Sequence, residues 1–190
     1  MTIQTISGGL SQKLSLKPIE LSSGLRAREI FWLLLAGVIV TVLHEMFRWP
    51  IKMPGRHGLE WMAILIFFRA GSTYVWAASV VALGAASTSL VSIASVSEPS
   101  AAWSYLLAGM IVDALFIAGK QWRQSVFYLA IAAGLAHSLR PLFNLVEANV
   151  FGLAHHSLNT GLAYPMLTHL LFGFIGGLTG AMLALLNKRR

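Results

Sequence analysis

Cysteine is absent from the 190-residue chain. Its absence excludes a disulfide framework, thiolate metal ligands and a cysteine nucleophile, and leaves the redox compartment undetermined. Charge is also scarce: Asp, Glu, Lys and Arg make up 11% of the residues, against about 25% in soluble domains. Acids are the scarcer sign, 7 against 14 Lys and Arg, giving a formal net charge of +7. In a soluble chain that excess would point to nucleic acid. Here the cations stand beside apolar segments, where they set membrane orientation, so no nucleic-acid partner is expected.

Several catalytic signatures are missing. No G-x-x-x-x-G-K-[ST] loop occurs, since Gly119-Lys120 is followed by Gln121 and lacks the earlier glycine, so any ATP dependence must come from partners. His44-Glu45-Met46-Phe47-Arg48 places arginine where the second ligand of an H-E-x-x-H zinc protease would stand. There is no G-x-S-x-G nucleophile elbow. The chain does not read as an enzyme, and no cofactor is expected.

What is present is apolar and comes in long runs. The hydrophobic fraction is 56%, above the roughly 45–50% of soluble chains. The sequence reads as an all-α integral membrane protein, a single bundle of about six transmembrane helices of about 20 residues each. Residues 1–27 are a polar leader with Lys13, Lys17 and Arg26, and residues 28–190 form the membrane domain. The expected spans are Glu29 to Phe47, a short Gly58 to Arg69, Tyr74 to Ala94, Trp103 to Ala118, Ser125 to Val150 and Leu162 to Leu186. Leader cations, Arg69, Lys120, Arg123 and the terminal Lys188-Arg189-Arg190 fall on one side, which places both termini in the cytoplasm by the positive-inside rule. Arg48, Lys52 and Arg56 are the exceptions on the outer side.

All three belong to the stretch His44 to Trp61, where Pro50, Pro54, Gly55 and Gly58 forbid a continuous helix. Below it, at about 1.5 Å per residue, His137 lies roughly 18 Å into the fifth span. Spacings of three, four and three put His137, Arg140, Asn144 and Glu147 on one helical face. Charge at that depth costs about 2.5–3.5 kcal/mol unless paired or wetted, so the face is expected to look into a polar pocket or to form a buried ion-pair seam. Trp49, Trp61 and Trp103 suit either an aromatic belt or ligand stacking. By the same cost argument Arg69 and Asp113, on different helices, are expected to face one another as a structural ion pair. Ala78, Ala82 and Ala86 form a small-residue ridge for helix packing within the bundle or against another subunit, and Gly173, Gly176, Gly177 and Gly180 do the same on the last helix.

These features resemble the S component of an energy-coupling factor transporter over residues 29–186: the Pro54-Gly55-Arg56-His57-Gly58 loop after the first helix, the Leu59-Glu60-Trp61-Met62-Ala63 run into a short helix ending at Arg69, the Leu106 to Phe116 segment around Asp113, and the glycine-rich last helix. The resemblance implies a substrate-binding subunit of an ATP-driven importer in a bacterial or archaeal cell (inner) membrane. It captures a vitamin or other small nutrient in an outward pocket closed by the loop 48–58, and works with a transmembrane T component and two ATPase subunits. The chain departs from that family at two places. The first helix offers only Gly37 and Thr41 where docking alanines would stand, and no early histidine follows Met1-Thr2-Ile3 as in the metal-specific relatives.

The expected substrate-binding residues are His44, Arg48, Trp49, Arg56, His57, Trp61, His137, Arg140, Asn144, Glu147, Tyr164 and His169. The arginines would meet an anionic group, the aromatics a ring, and Asn144 or His137 would give directional hydrogen bonds. Two alternatives stand beside this. One is Ni, Co or Zn binding by His44, His137, His155, His156 and His169. The other is a membrane-embedded enzyme using the same groups on a lipid-borne substrate.

Overall fold

The structure is a computed structural model; it describes residues 23–46, 53–92 and 100–188, whose regular structure is entirely helical. In order come α1 (Ser23–Met46), α2 (Gly58–Gly71), α3 (Ala77–Ser92), α4 (Ser100–Ala118), α5 (Val126–Ser138), α6 (Arg140–Phe151), a single 3-10 turn at His156–Leu158, and α7 (Ala163–Lys188). Four stretches are long and apolar enough to cross a membrane: Arg26–His44, Ala101–Ala118, Val126–Phe151, which joins α5 to α6, and Ala163–Lys188. α2 and α3, with 14 and 16 residues, reach only about 21 and 24 Å at about 1.5 Å per residue, short of a hydrocarbon core of about 30 Å.

The helices pack as two triplets. α3 lies between α1 and α4, α7 lies between α2 and α5, and the triplets meet through α4 with α5 and α2 with α3. Small residues set these approaches. At the α1–α3 crossing, a Cβ on Gly37 would run into the Val81 carbonyl and one on Gly84 into the Leu34 carbonyl, so only glycine lets the backbones come this close. Ala78, Ala82 and Ala86 are buried between α3 and its neighbours, so the alanine ridge is used inside the bundle and is not presented to another subunit. Leu33, Met62, Leu65, Ile66, Val81 and Val112 fill the centre. Outward, Phe31, Val91, Trp103, Phe127, Phe151 and Leu167 are each more than half exposed, a surface that suits apolar surroundings.

Three expected boundaries differ. α1 begins at Ser23, inside the segment expected to be a polar leader, and α3 begins at Ala77, three residues after the expected start at Tyr74. The expected helix 125–150 is interrupted at Leu139. Pro141 is the cause: it has no N–H to give the His137 carbonyl four residues back, and the chain restarts with Leu142 and Phe143 donating to the Leu139 carbonyl.

Asp113 on α4 organises the end of the bundle away from His44. Its Oδ1 accepts from the Ala78 N–H at 3.2 Å, and its Oδ2 accepts from the Ser79 N–H and Oγ at 2.7 Å each. These amides belong to the first turn of α3, which has no carbonyl partners for them within the helix, so a carboxylate from α4 caps α3. Arg69 of α2 faces it, Nε to Oδ1 3.4 Å, and its guanidinium also donates to the Tyr74 carbonyl and lies 3.9 Å over the Phe116 ring. Both side chains are buried, at 4% and 0% exposure. Asp113→Ala leaves a buried guanidinium without its carboxylate and is expected to destabilise the purified protein by about 3–5 kcal/mol in denaturant unfolding. The double change Arg69→Met/Asp113→Leu removes both charges and is expected to cost nearer the about 1 kcal/mol of a lost helix cap. Wild-type stability for Asp113→Ala would show that the pair holds nothing together.

Candidate functional site

The stretch Pro54 to Gly58 makes a tight turn that rolls directly into α2. Gly55 has φ of 82°, the left-handed region that glycine enters without strain, and its carbonyl accepts from the Gly58 N–H at 2.8 Å. Leu59 and Trp61 then donate to the carbonyls of Arg56 and His57. The turn is wedged between α5 and α7: a Cβ on Gly55 would stand 2.7 Å from the His169 ring, and one on Gly58 would strike the His137 ring. The described half of the expected 48–58 lid therefore packs directly against the histidines of α5 and α7. It is part of the site.

Three imidazoles converge on this turn. His57 ends it, His137 comes from the last turn of α5 and His169 from the second turn of α7, with one ring nitrogen from each lying within 4.8 Å of the others. Ring centroids are 4.6 Å apart for His57 and His137, 4.8 Å for His137 and His169, and 5.8 Å for His57 and His169. His137 and His169 are buried and His57 is half-buried.

Hydrogen bonds fix which nitrogen carries a proton. A carbonyl can only accept, so His169 Nδ1–H donates to the Pro165 carbonyl at 2.7 Å and leaves a lone pair on Nε2. By the same reasoning His137 Nε2–H donates to the Gly55 carbonyl at 3.1 Å and leaves its lone pair on Nδ1. A guanidinium can only donate, so Arg140 Nη1, 3.2 Å from His57 Nε2, covers the lone pair of the third ring. Burial, reinforced by the positive charge of Arg140, holds the His57 imidazole well below its ordinary pKa, so this ring is neutral at neutral pH.

His57 and His137 border a cavity of about 10 Å³ whose walls include Trp61, Tyr105, Arg140 and Phe143. That is room for about one water-sized guest. Trp61 and Tyr105 meet edge to face at 4.9 Å and close its inner wall. Tyr105 and Phe143 carry no polar pattern in the sequence that would have flagged them. Only the packing of α4 against α5 and α6 brings them here.

The remaining candidates fall into separate places. His44 lies 5.6 Å from the His57 ring and 3.8 Å from the Glu60 carboxylate, at the edge of the cluster. Arg56 is half-buried in the turn. Beyond the Pro141 break, Asn144 donates to Ser157 Oγ at 3.2 Å and Glu147 lies 3.0 Å from His155 Nε2, so both turn to the 155–157 segment and the expected continuous polar face divides in two. His155 and His156 belong to that segment, the latter within 3.2 Å of Asn159, and are not members of the three-histidine group. Tyr164 is exposed at the start of α7. Arg48 and Trp49, with the side chain of Glu45, lie outside the described residues. Of the five histidines expected in a metal site, His137 and His169 converge. The third member is His57, which the sequence offered only as a contact for an organic substrate.

No protein-family model, curated protein or solved structure matches the chain, so a functional reading rests on this cluster of His57, His137, His169 and Arg140 and on the bundle that positions it.

Proposed function

We propose that the chain is an integral membrane protein that captures a first-row transition-metal ion, as cargo, on His57, His137 and His169. The observation that carries this reading is the convergence of three imidazole nitrogens within 4.8 Å, two of their rings lining a cavity of about 10 Å³ that is too small for an organic nutrient. Imidazole suits Zn, Ni and Co, and ligating histidines characteristically donate their other ring N–H to a carbonyl, as His137 and His169 do here to Gly55 and Pro165. The donors would be His169 Nε2, His137 Nδ1 and His57 Nε2. Bonds of about 2.0–2.1 Å require the three nitrogens to close in somewhat from their present spacing. The early histidine of metal-specific S components, absent here, is not needed by this ligand set.

Arg140 stands in the way of a cation, because its guanidinium both covers His57 Nε2 and repels positive charge. Loading requires it to leave. Its position as the first residue of α6, just after the break at Leu139, lets it do so without disturbing α5.

The S-component resemblance supplies the wider setting of this proposal: a six-span bundle with both termini cytoplasmic, in a bacterial or archaeal cell membrane, with a T component and two ATPases driving import. A second reading is favoured by the Trp61, Tyr105, Arg140 and Phe143 walls, which suit an aromatic organic anion such as a vitamin if the cavity opens.

Two measurements on protein purified without a histidine tag separate these readings. Elemental analysis and calorimetric titration with Zn²⁺, Ni²⁺ and Co²⁺ are expected to show one site per chain, weakened roughly 100-fold or more by His57→Ala, His137→Ala or His169→Ala, since changes in supporting contacts alone reach that range. Absence of metal and of uptake would remove the metal reading. Arg140→Met is expected to tighten metal binding, because it uncovers His57 Nε2 and removes a competing charge. On the organic-anion reading the same change abolishes binding, so its sign decides between the two.

A further inference from the structure

The other ends of α1, α2 and α7 enclose a second, larger cavity of about 210 Å³. Its walls include Trp32 and Phe67 with Phe68, while Glu29, Ser72, Asn187 and Lys188 supply its polar groups. Along each helix it is remote from the histidines: Glu29 against His44 on α1, Ser72 just past the end of α2 that His57 precedes, Lys188 against His169 on α7. It belongs to no part of the site described above.

The chemistry of its walls is that of an amphiphile receptor. At about 210 Å³ against about 10 Å³ for the cavity beside the histidines, it has room for an aminoalkyl phosphate where the other holds one water. An exposed lysine at the last turn of α7 offers an ammonium to a phosphate oxygen. Ser72 Oγ donates to Glu29 Oε1 and so orients the carboxylate at the wall, where it can accept from a primary ammonium group. Trp32, half-exposed, adds aromatic surface favourable to the same cation. The aromatic walls beside these two opposite charges suit the glycerol and upper acyl region of the same molecule. A soluble zwitterion would use the charges and waste the apolar walls, and an anionic lipid would have nothing for Glu29.

We propose that this cavity binds the headgroup region of a zwitterionic aminophospholipid, with Lys188 on the phosphate and Glu29 on the ammonium. The proposal rests on the membrane reading of the four long apolar helices and is independent of the metal reading.

The test uses the full chain in vesicles of equimolar phosphatidylethanolamine and phosphatidylglycerol, followed by detergent extraction and native mass spectrometry of retained lipid. One phosphatidylethanolamine per chain is expected, retained about tenfold over phosphatidylglycerol, the scale of two weak charge contacts. Glu29→Gln keeps the hydrogen bond from Ser72 and is expected to bring the two lipids to parity. Gly71 lines the cavity, and a Cβ there meets nothing within 4 Å, so Gly71→Phe fills the space and is expected to abolish retention with an unchanged size-exclusion profile. Protein that inserts but retains both lipids equally, retains none, or keeps its preference in both variants overturns the proposal alone. Protein that fails to insert overturns it together with the membrane reading.

Discussion

A buried polar group in an apolar bundle has to find its partner within the bundle, and Asp113 shows how strongly that constraint shapes this chain. Its two oxygens take three donors from the first turn of α3 and face the guanidinium of Arg69, so three helices are tied by one carboxylate. The same rule accounts for the smaller hydroxyls: Thr41 donates to the Gly37 carbonyl and Thr168 to that of Tyr164, each one helical turn back. At the opposite end it selects the tautomers of the histidines. His137 and His169 meet carbonyls that can only accept, and His57 meets a guanidinium that can only donate. Satisfying the bundle's own polar groups therefore uses the N–H of two rings and leaves each with an acceptor nitrogen, while the acceptor nitrogen of the third is held by Arg140.

The helical architecture was legible because its signals are local. Long apolar runs, the Pro-Gly punctuation before Gly58 and the charged residue Arg69 near the end of α2 gave that short helix nearly its observed limits. The break at Leu139 was equally available from Pro141, whose missing N–H outweighs a regular spacing of polar residues; treating 125–150 as one helix put Asn144 and Glu147 beside His137 when they turn elsewhere. Convergence of His57, His137 and His169 had no such local signal. It depends on how closely α7 approaches α2 and α5, which is set by contacts of Gly173 with Ala133, Gly176 with Leu59 and Gly180 with Ala63. The glycines themselves were visible as a packing stripe, but which helices they would meet was not.

The glycine contacts also explain why the site sits on a turn and not above one. With no side chain on Gly55 or Gly58, backbone lies directly against imidazole, and the turn is packed between the helices that flank it. Position is thus imposed on His57 by a segment that, by composition, would ordinarily be a wet loop.

On the metal reading, Arg140 has a consequence for selectivity. A guest must do more than fit: its bonds to imidazole have to outweigh the contact and charge of a guanidinium already in place. Sodium, magnesium and calcium prefer oxygen donors and fall short of that threshold, whereas cations toward the copper end of the Irving–Williams series exceed it. On that reading the arginine is a reference competitor built into the chain, against which each arriving ion would be compared.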